Sequence, residues 1–310
     1  MTQPPVGAVP VCYRHPGRET YVRCTRCDRP ICPDCMNEAS VGHQCPECVR
    51  EGRRTQRQRR TAFGGGVTGQ HGYVTITLIA LNVLVALFAV ASAQRATALV
   101  GQGFGGLVGS ETPLHFWGAV IGAPVVNYTD AQGNVVTTVH GIASGEYYRL
   151  FTAMFLHFGL LHLLVNMWAL WVLGRPLEAL LGPARFLGLY LVSGLGGNVA
   201  VYLFSSPTGL SAGASTALFG LFAALFLVLR RLKMNTTGVI ITLVINLIIT
   251  FSIPQISIAG HLGGLVTGAI VGAGLAYAPR NARTPVQVGV IAGTLVVLVV
   301  LTLLRTAQLS

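Results

Sequence analysis

The sequence predicts an all-α polytopic membrane protein preceded by a small cysteine-rich module. Three observations carry that prediction. The chain is 52% hydrophobic and only 10% charged, against about 25% charged residues in a soluble domain. From residue 73 onward, apolar runs near the ~20 residues needed to cross a bilayer alternate with short polar breaks. All seven cysteines, by contrast, fall within residues 12–48. The 38 glycines suit membrane helices, where small residues allow close packing.

Three zones follow in chain order. Residues 1–49 hold the Cys/His module, 50–71 a basic and Gly-rich linker, and 72–306 the membrane domain. In the module the spacing is Cys12-x2-His15, Cys24-x2-Cys27, Cys32-x2-Cys35 and Cys45-x2-Cys48. An x2 spacing lets both side chains face one ion, and four such pairs suffice for two tetrahedral zinc ions. His43 is an additional candidate ligand. Disulfides or redox-active CxxC pairs are the competing reading. An odd cysteine count, mixed with histidines on the side of the positive charge, favours metal. So short a segment cannot bury a large core, so a metal would supply much of its folding energy.

The linker opens on Arg50, Arg53, Arg54, Arg57, Arg59 and Arg60 and continues into Gly64, Gly65, Gly66 and Gly69. Such composition predicts flexibility. Basic runs bind nucleic acid, but beside a membrane span they set topology and touch anionic lipid, and the position here favours lipid. No cleavable signal peptide is visible in the polar N-terminus, so the first span is expected to act as an uncleaved anchor.

The apolar runs predict seven spans: 73–93, 150–173, 182–204, 214–232, 237–252, 258–278 and 286–304. The fifth is short. With the arginine run in the cytoplasm, Arg175, Arg185, Arg230, Arg231, Lys233, Arg280 and Arg283 face the same side. The other side keeps only Arg95, Arg149 and Arg305, a bias that fits the positive-inside rule. The break of about 55 residues after span one is long enough to be functional. It holds Leu114-His115-Phe116-Trp117, suited to the membrane interface. No internal repeat is evident.

Two polar residues in apolar surroundings stand out. Ser215 lies in Gly213-Ala214-Ser215-Thr216-Ala217 and His261 in Ala259-Gly260-His261-Leu262-Gly263-Gly264. Ionisable residues inside spans are functional candidates by default. A serine that can hand its proton to a histidine is the minimal activated nucleophile. Topology puts both near the outer ends of spans four and six. The competing reading is a serine that merely bonds its own helix. Gly260, Gly264 and Gly268 give span six a smooth face for close packing, and Ala217 and Gly220 offer small surfaces on span four. Acyl transfer also needs oxyanion donors. His162 and Asn166 share one face of span two, and the Ser215 N–H sits near a helix start. His162 and Asn166 could equally be structural glue between helices.

On these motifs the chain resembles the rhomboid family of intramembrane serine proteases. They are Gly213-x-Ser215, His261 with its glycine repeat, and His162-xxx-Asn166, within roughly residues 73–304. The resemblance implies a six-helix core plus one C-terminal helix and a Ser215–His261 catalytic dyad with no third, acidic member. It implies oxyanion stabilisation by His162, Asn166 and the Ser215 backbone, and a water-accessible cavity opening outward. His157 aligns with a further family histidine, and Gly213, Phe219 and Gly264 support the site. Tyr147-Tyr148-Arg149 resembles the family's aromatic–Arg motif and Gly174-xxx-Glu178 its Gly-xxx-Glu turn. Three residues depart from the pattern: Thr216 in place of a usual Gly, Phe219 in place of a Tyr on the histidine, and Tyr148 in place of a Trp. Implied substrates are transmembrane proteins, cut without a catalytic metal or nucleotide.

The Cys/His module resembles a B-box-type zinc finger. In that family the pairs alternate, which implies one ion on Cys12, His15, Cys32 and Cys35 and another on Cys24, Cys27, Cys45 and Cys48. Its implied partner is a protein, or the protease domain itself. The localisation expected is the cell membrane, multi-pass, with a cytoplasmic N-terminus. An inactive rhomboid-like protein that binds membrane helices is the alternative function. A transporter would show charged or broken-helix sites at mid-membrane, and few are visible.

Overall fold

A computed structural model of the chain describes residues 9–55, 59–67, 71–93, 111–129 and 132–309. Arg57, Gly69 and Arg95, used above for linker and topology, lie outside the described residues. The chain divides into two compact units, Met1–Arg59 and Arg60–Ser310.

The first unit is small and irregular. Strands β1 (Val11–Cys12) and β2 (His15–Glu19) pair antiparallel, as do β3 (Asn37–Glu38) and β4 (His43–Gln44). Helix α1 (Pro46–Thr55) follows. It runs beyond the boundary predicted at residue 49, because Cys48 is buried on its inner side while its arginines stay outside. The unit's core is Ile31 and six of the cysteines, with Cys27 packed against them. Apart from those thiols it has almost nothing apolar to bury.

The second unit is a helix bundle. Helix α2 (Tyr73–Ala93) is followed by α3 (Pro113–Gly118). Strands β5 (Val125–Thr129) and β6 (Val135–His140) then form an antiparallel hairpin. After α4 (Arg149–Thr152) come α5 (Leu160–Leu181), α6 (Pro183–Phe204), α7 (Ser215–Arg231), α8 (Thr237–Ser252), α9 (Ile258–Tyr277) and α10 (Arg283–Leu309). Five of these, α2, α5, α6, α9 and α10, are long and apolar enough to cross a membrane. Large apolar side chains such as Phe88, Trp168, Ile248 and Val266 face outward. That surface suits lipid, where every backbone polar group is satisfied within its own helix. The protein is a multi-pass membrane protein.

Span two departs from the prediction. Residues 149–155 form short helical turns, and the long helix starts only at Leu160 and runs to Leu181. Gly159, at φ 89°, stops helix propagation between them. The pairing of β5 with β6 is a second departure, within the long break after span one. Arg149 pins this region. Its guanidinium is 2% exposed and donates to Glu146 Oε2 and to the Phe116 and Ala119 carbonyls. Tyr148 stacks on Trp117. The aromatic–Arg motif thus ties α3 to the approach to α5.

The Gly-xxx-Glu turn has an equally local cause. Glu178 is fully buried and its carboxylate accepts from the Val74 and Thr75 N–H groups and the Thr75 hydroxyl. It caps the free N–H groups that start α2. Gly174 leaves room for Thr75, whose side chain would lie 2.9 Å from a Cβ there.

Two helices form the centre. Gly264, Gly268 and Gly272 of α9 lie against Thr216, Gly220 and Ala224 of α7, each four residues apart. A Cβ on Gly264 would meet the Thr216 carbonyl oxygen at 1.9 Å, and one on Gly268 the Gly220 Cα at 2.2 Å. Backbone thus lies on backbone. Helix α6 encloses the pair and is the most buried of the five long helices, with 72% of its apolar stretch inside, against 11% for α10. The added C-terminal helix is therefore peripheral.

Candidate active site

Helix α7 has 17 residues, about 25 Å at 1.5 Å per residue, against a hydrocarbon core of about 30 Å. Its first residue is Ser215. The preceding segment, residues 205–214, returns as irregular backbone held by Val120 pairing with Ser211 and by the Gly213 N–H on the Ala153 carbonyl. Ser215 thus stands at the head of a short helix, on irregular backbone held by protein on both sides.

Gly213 is required by two conditions. Its φ is +144°, which side chains rarely adopt, and a Cβ there would lie 3.0 Å from His162 Nε2 and 3.4 Å from Ser215 Oγ. The missing side chain leaves one small space that the two polar groups face together.

The close packing of α7 on α9 brings His261 Nε2 to 2.8 Å from Ser215 Oγ. The imidazole is buried and stacks on Phe219, with ring centroids 4.1 Å apart and planes inclined 18°. A hydroxyl at this distance from an imidazole nitrogen can pass its proton to it. The Ser215 N–H, in the first turn of α7, has no intrahelical partner and carries the positive end of the helix dipole.

His162 sits on the first turn of α5. Its Nδ1 accepts the Phe158 N–H at 3.3 Å, which assigns the ring proton to Nε2, the atom facing the Gly213 space. Asn166 lies one turn on, buried, with Nδ2 donating to the His162 carbonyl at 2.7 Å. His157 is buried with its ring against His162, centroids 5.0 Å apart, and neither ring nitrogen has a hydrogen-bond partner among the described residues. Gly264 lies at the α7–α9 contact under Thr216. Ser215, His261, Phe219, Gly213 and His162 therefore converge, while Asn166 is tied to its own helix.

Two further residues lie near the site with no sequence signal that places them there. His115 is 1% exposed, accepts from Thr112 through Nδ1, and stacks on Phe158 at 4.4 Å. Thr250 Oγ1 lies 2.7 Å from His261 Nδ1. His115 reads in sequence only as part of the interfacial segment 114–117, and a threonine in an apolar helix normally signals only a bond to its own backbone.

The Cys/His module brings its ligands together as two groups, Cys12, His15, Cys32 and Cys35, and Cys24, Cys27, Cys45 and Cys48. The donor atoms of each group all lie within 4.8 Å of one another. Tetrahedral bond lengths imply S···S separations of about 3.8 Å and S···N of about 3.6 Å. Observed values are 3.7 Å for Cys27–Cys45, 3.8 Å for Cys12–His15, 3.5 Å for Cys35–His15 and a shorter 3.2 Å for Cys32–His15. His15 engages through Nδ1. His43 lies in β4 outside both groups. For Cys12, burial works upward and is outweighed by the N–H groups of Cys32, Arg14 and His15, leaving it lowered to about 6. Burial, with the Cys12 and Cys32 thiols, pushes Cys35 up to about 11. A divalent cation would supply the charge that keeps such a cluster deprotonated. The residues fit a metal ion at each group.

The fold and site define a polytopic helical membrane protein with a serine–histidine pair held between two of its helices. Residues 144–278 match the sequence model of the family described as "Rhomboid domain". The chain is 41% identical over 139 residues to the rhomboid protease GluP of Bacillus subtilis, covering 43% of this chain and 27% of that protein. It is 37% identical over 136 residues to the putative rhomboid protease YdcA of the same organism, covering 42% and 68%. It is 37% identical over 133 residues to the RHOMBOID-like protein 1 of Arabidopsis thaliana, covering 41% and 34%. The chain belongs to the rhomboid family, which includes membrane proteases.

Proposed function

We propose that this protein is an intramembrane serine endopeptidase that cleaves transmembrane proteins through Ser215 and His261. The observation that carries the reading is the 2.8 Å contact between Ser215 Oγ and His261 Nε2. In the reaction, Nε2 takes the hydroxyl proton as Oγ attacks the scissile carbonyl carbon. The resulting oxyanion is met by the Ser215 N–H and by His162 Nε2–H across the space at Gly213. Asn166 contributes through its second amide hydrogen, the first being held by the His162 carbonyl. Collapse breaks the C–N bond, and the imidazolium returns the proton to the leaving amine. Water, deprotonated by His261, then hydrolyses the Ser215 ester. The burial of His261 beside a half-buried Ser215 supports a substrate that arrives through the lipid phase and unwinds locally at the serine.

The basic residues support a cytoplasmic N-terminus and a site opening to the outer side. Each four-ligand group of the module holds one zinc ion, which acts as a structural crosslink. The module serves as a docking or regulatory element for a protein partner. The test is cleavage of a model transmembrane substrate in liposomes by the wild type and by Ser215→Ala. Cleavage by the wild type alone is expected, and equal cleavage by both removes the mechanism.

A further inference from the structure

Helix α8 is the least embedded helix around the site. Of its 16 residues, all of them described, Thr250 alone is buried, at 1% exposure. Its neighbours Ile248, Ile249 and Phe251 point outward. Val239 and Leu243 pack on the core only in part, so the one fully buried side chain of α8 is the one that touches His261.

The hydrogen bonds at this contact favour one arrangement of protons. A threonine hydroxyl has one proton to donate. The Thr250 hydroxyl lies 2.7 Å from the Asn246 carbonyl oxygen, which can only accept. Its proton goes there, one helical turn back. The same oxygen lies 2.7 Å from His261 Nδ1. With its proton spent, it acts there as an acceptor, so Nδ1 carries the hydrogen. A neutral imidazole has one N–H, which leaves Nε2 as the bare nitrogen, and Nε2 is the atom 2.8 Å from Ser215 Oγ. In the other tautomer the hydroxyl would have to turn its proton from the Asn246 carbonyl to Nδ1, and Nε2–H would point at the nucleophile it is meant to deprotonate.

We propose that Thr250 is the positioning residue that holds His261 in its reacting tautomer, through the chain Asn246 C=O, Thr250 Oγ1–H, His261 Nδ1–H. The proposal rests on the reading of Ser215 and His261 as nucleophile and base. It explains how a base can work here without an acidic partner. A carboxylate on Nδ1 would bring a second charge into an apolar helix bundle, with a large desolvation penalty. A hydroxyl anchored on a backbone carbonyl gives the same directional instruction with no net charge. It still accepts from Nδ1–H when the ring becomes imidazolium, so the bond persists through the reaction. Phe219 fixes the plane of the ring by stacking, and Thr250 fixes which nitrogen faces the serine.

The test compares wild type, Thr250→Val, Thr250→Ser, Thr242→Val and Ser215→Ala, all full length in liposomes. Each is assayed for cleavage of a transmembrane substrate and for the rate of Ser215 phosphonylation by a small fluorophosphonate. Valine keeps the shape and removes the hydroxyl, whereas serine keeps the hydroxyl. Thr242 makes the same one-turn bond, to Gly238, on the same helix but away from His261, so its variant controls for loss of that bond. Thr250→Val should lower kcat on the order of tenfold, the worth of one hydrogen bond. KM should stay unchanged, and the phosphonylation rate should fall in parallel. Thr250→Ser should restore most of the rate, and Thr242→Val should match wild type. A Thr250→Val enzyme with wild-type kcat, or one changed only in KM, overturns the proposal while leaving the dyad standing. Cleavage by Ser215→Ala equal to wild type overturns the dyad, and the proposal with it.

Discussion

Gly264→Ala is the sharpest perturbation of the α7–α9 contact. The added Cβ would lie 1.9 Å from the Thr216 carbonyl oxygen and 2.8 Å from its carbonyl carbon. Both are backbone atoms, so no rotamer change relieves the overlap. Ordinary contact begins at 3.4 Å, so α9 must retreat locally by about 1.5 Å. His261 lies one turn before Gly264 on the same helix and moves with it. A 2.8 Å bond to Ser215 stretched by even 1 Å is lost as a hydrogen bond. Misplacement on this scale costs on the order of 100-fold in rate, or about 2.7 kcal/mol of barrier. Over-packing adds a stability loss of about 1–3 kcal/mol. The assay is kcat/KM on a transmembrane substrate, with thermal unfolding in detergent alongside. Gly289→Ala, where a Cβ meets nothing within 4 Å, is the control and should behave as wild type. A Gly264→Ala protein that melts normally and cleaves within about threefold of wild type would refute the close-packing account.

Other consequences follow from single contacts. Phe219→Ala removes the ring stacked on His261; aromatic pairs contribute about 0.5–1.5 kcal/mol, so activity should fall roughly 3- to 10-fold, with Phe219→Tyr retaining it. Glu178→Gln presents an amide to three donors that a carboxylate now satisfies; thermal unfolding should show a loss of about 1–2 kcal/mol, as for a lost helix cap. Native mass spectrometry should find two zinc ions per chain, and Cys24→Ser should reduce the count to one. Because protons compete with metal for the thiolates, zinc should be released progressively as pH falls.

Much of the site was legible because its chemistry is written in residue types that apolar helices otherwise avoid. Ser215, His261 and His162 stand out against Leu, Val and Ala, and the glycine repeat on α9 announced the close approach that joins two of them. The eight Cys and His residues that gather into two groups were legible from spacing alone, and the alternation of pairs from family resemblance. The start of α5 was not. Apolar residues continue through 150–158 with no composition change, and only Gly159 at positive φ shows that the helix begins afresh. The hairpin was missed although β-branched residues flank Gly133, because its length was absorbed into a loop. Thr250 was invisible for a different reason. Its role depends on which helix packs against His261 and on where one proton goes, and neither is encoded in local sequence.

The most direct measurement of the central claim is intact-protein and peptide mass spectrometry after treatment of the folded, membrane-embedded protein with an alkyl fluorophosphonate. A serine activated by His261 should take up one phosphonyl group per chain, located on Ser215, and His261→Ala should take up none on the same timescale. An adduct on another serine, or equal labelling of Ser215 in His261→Ala, would contradict the account.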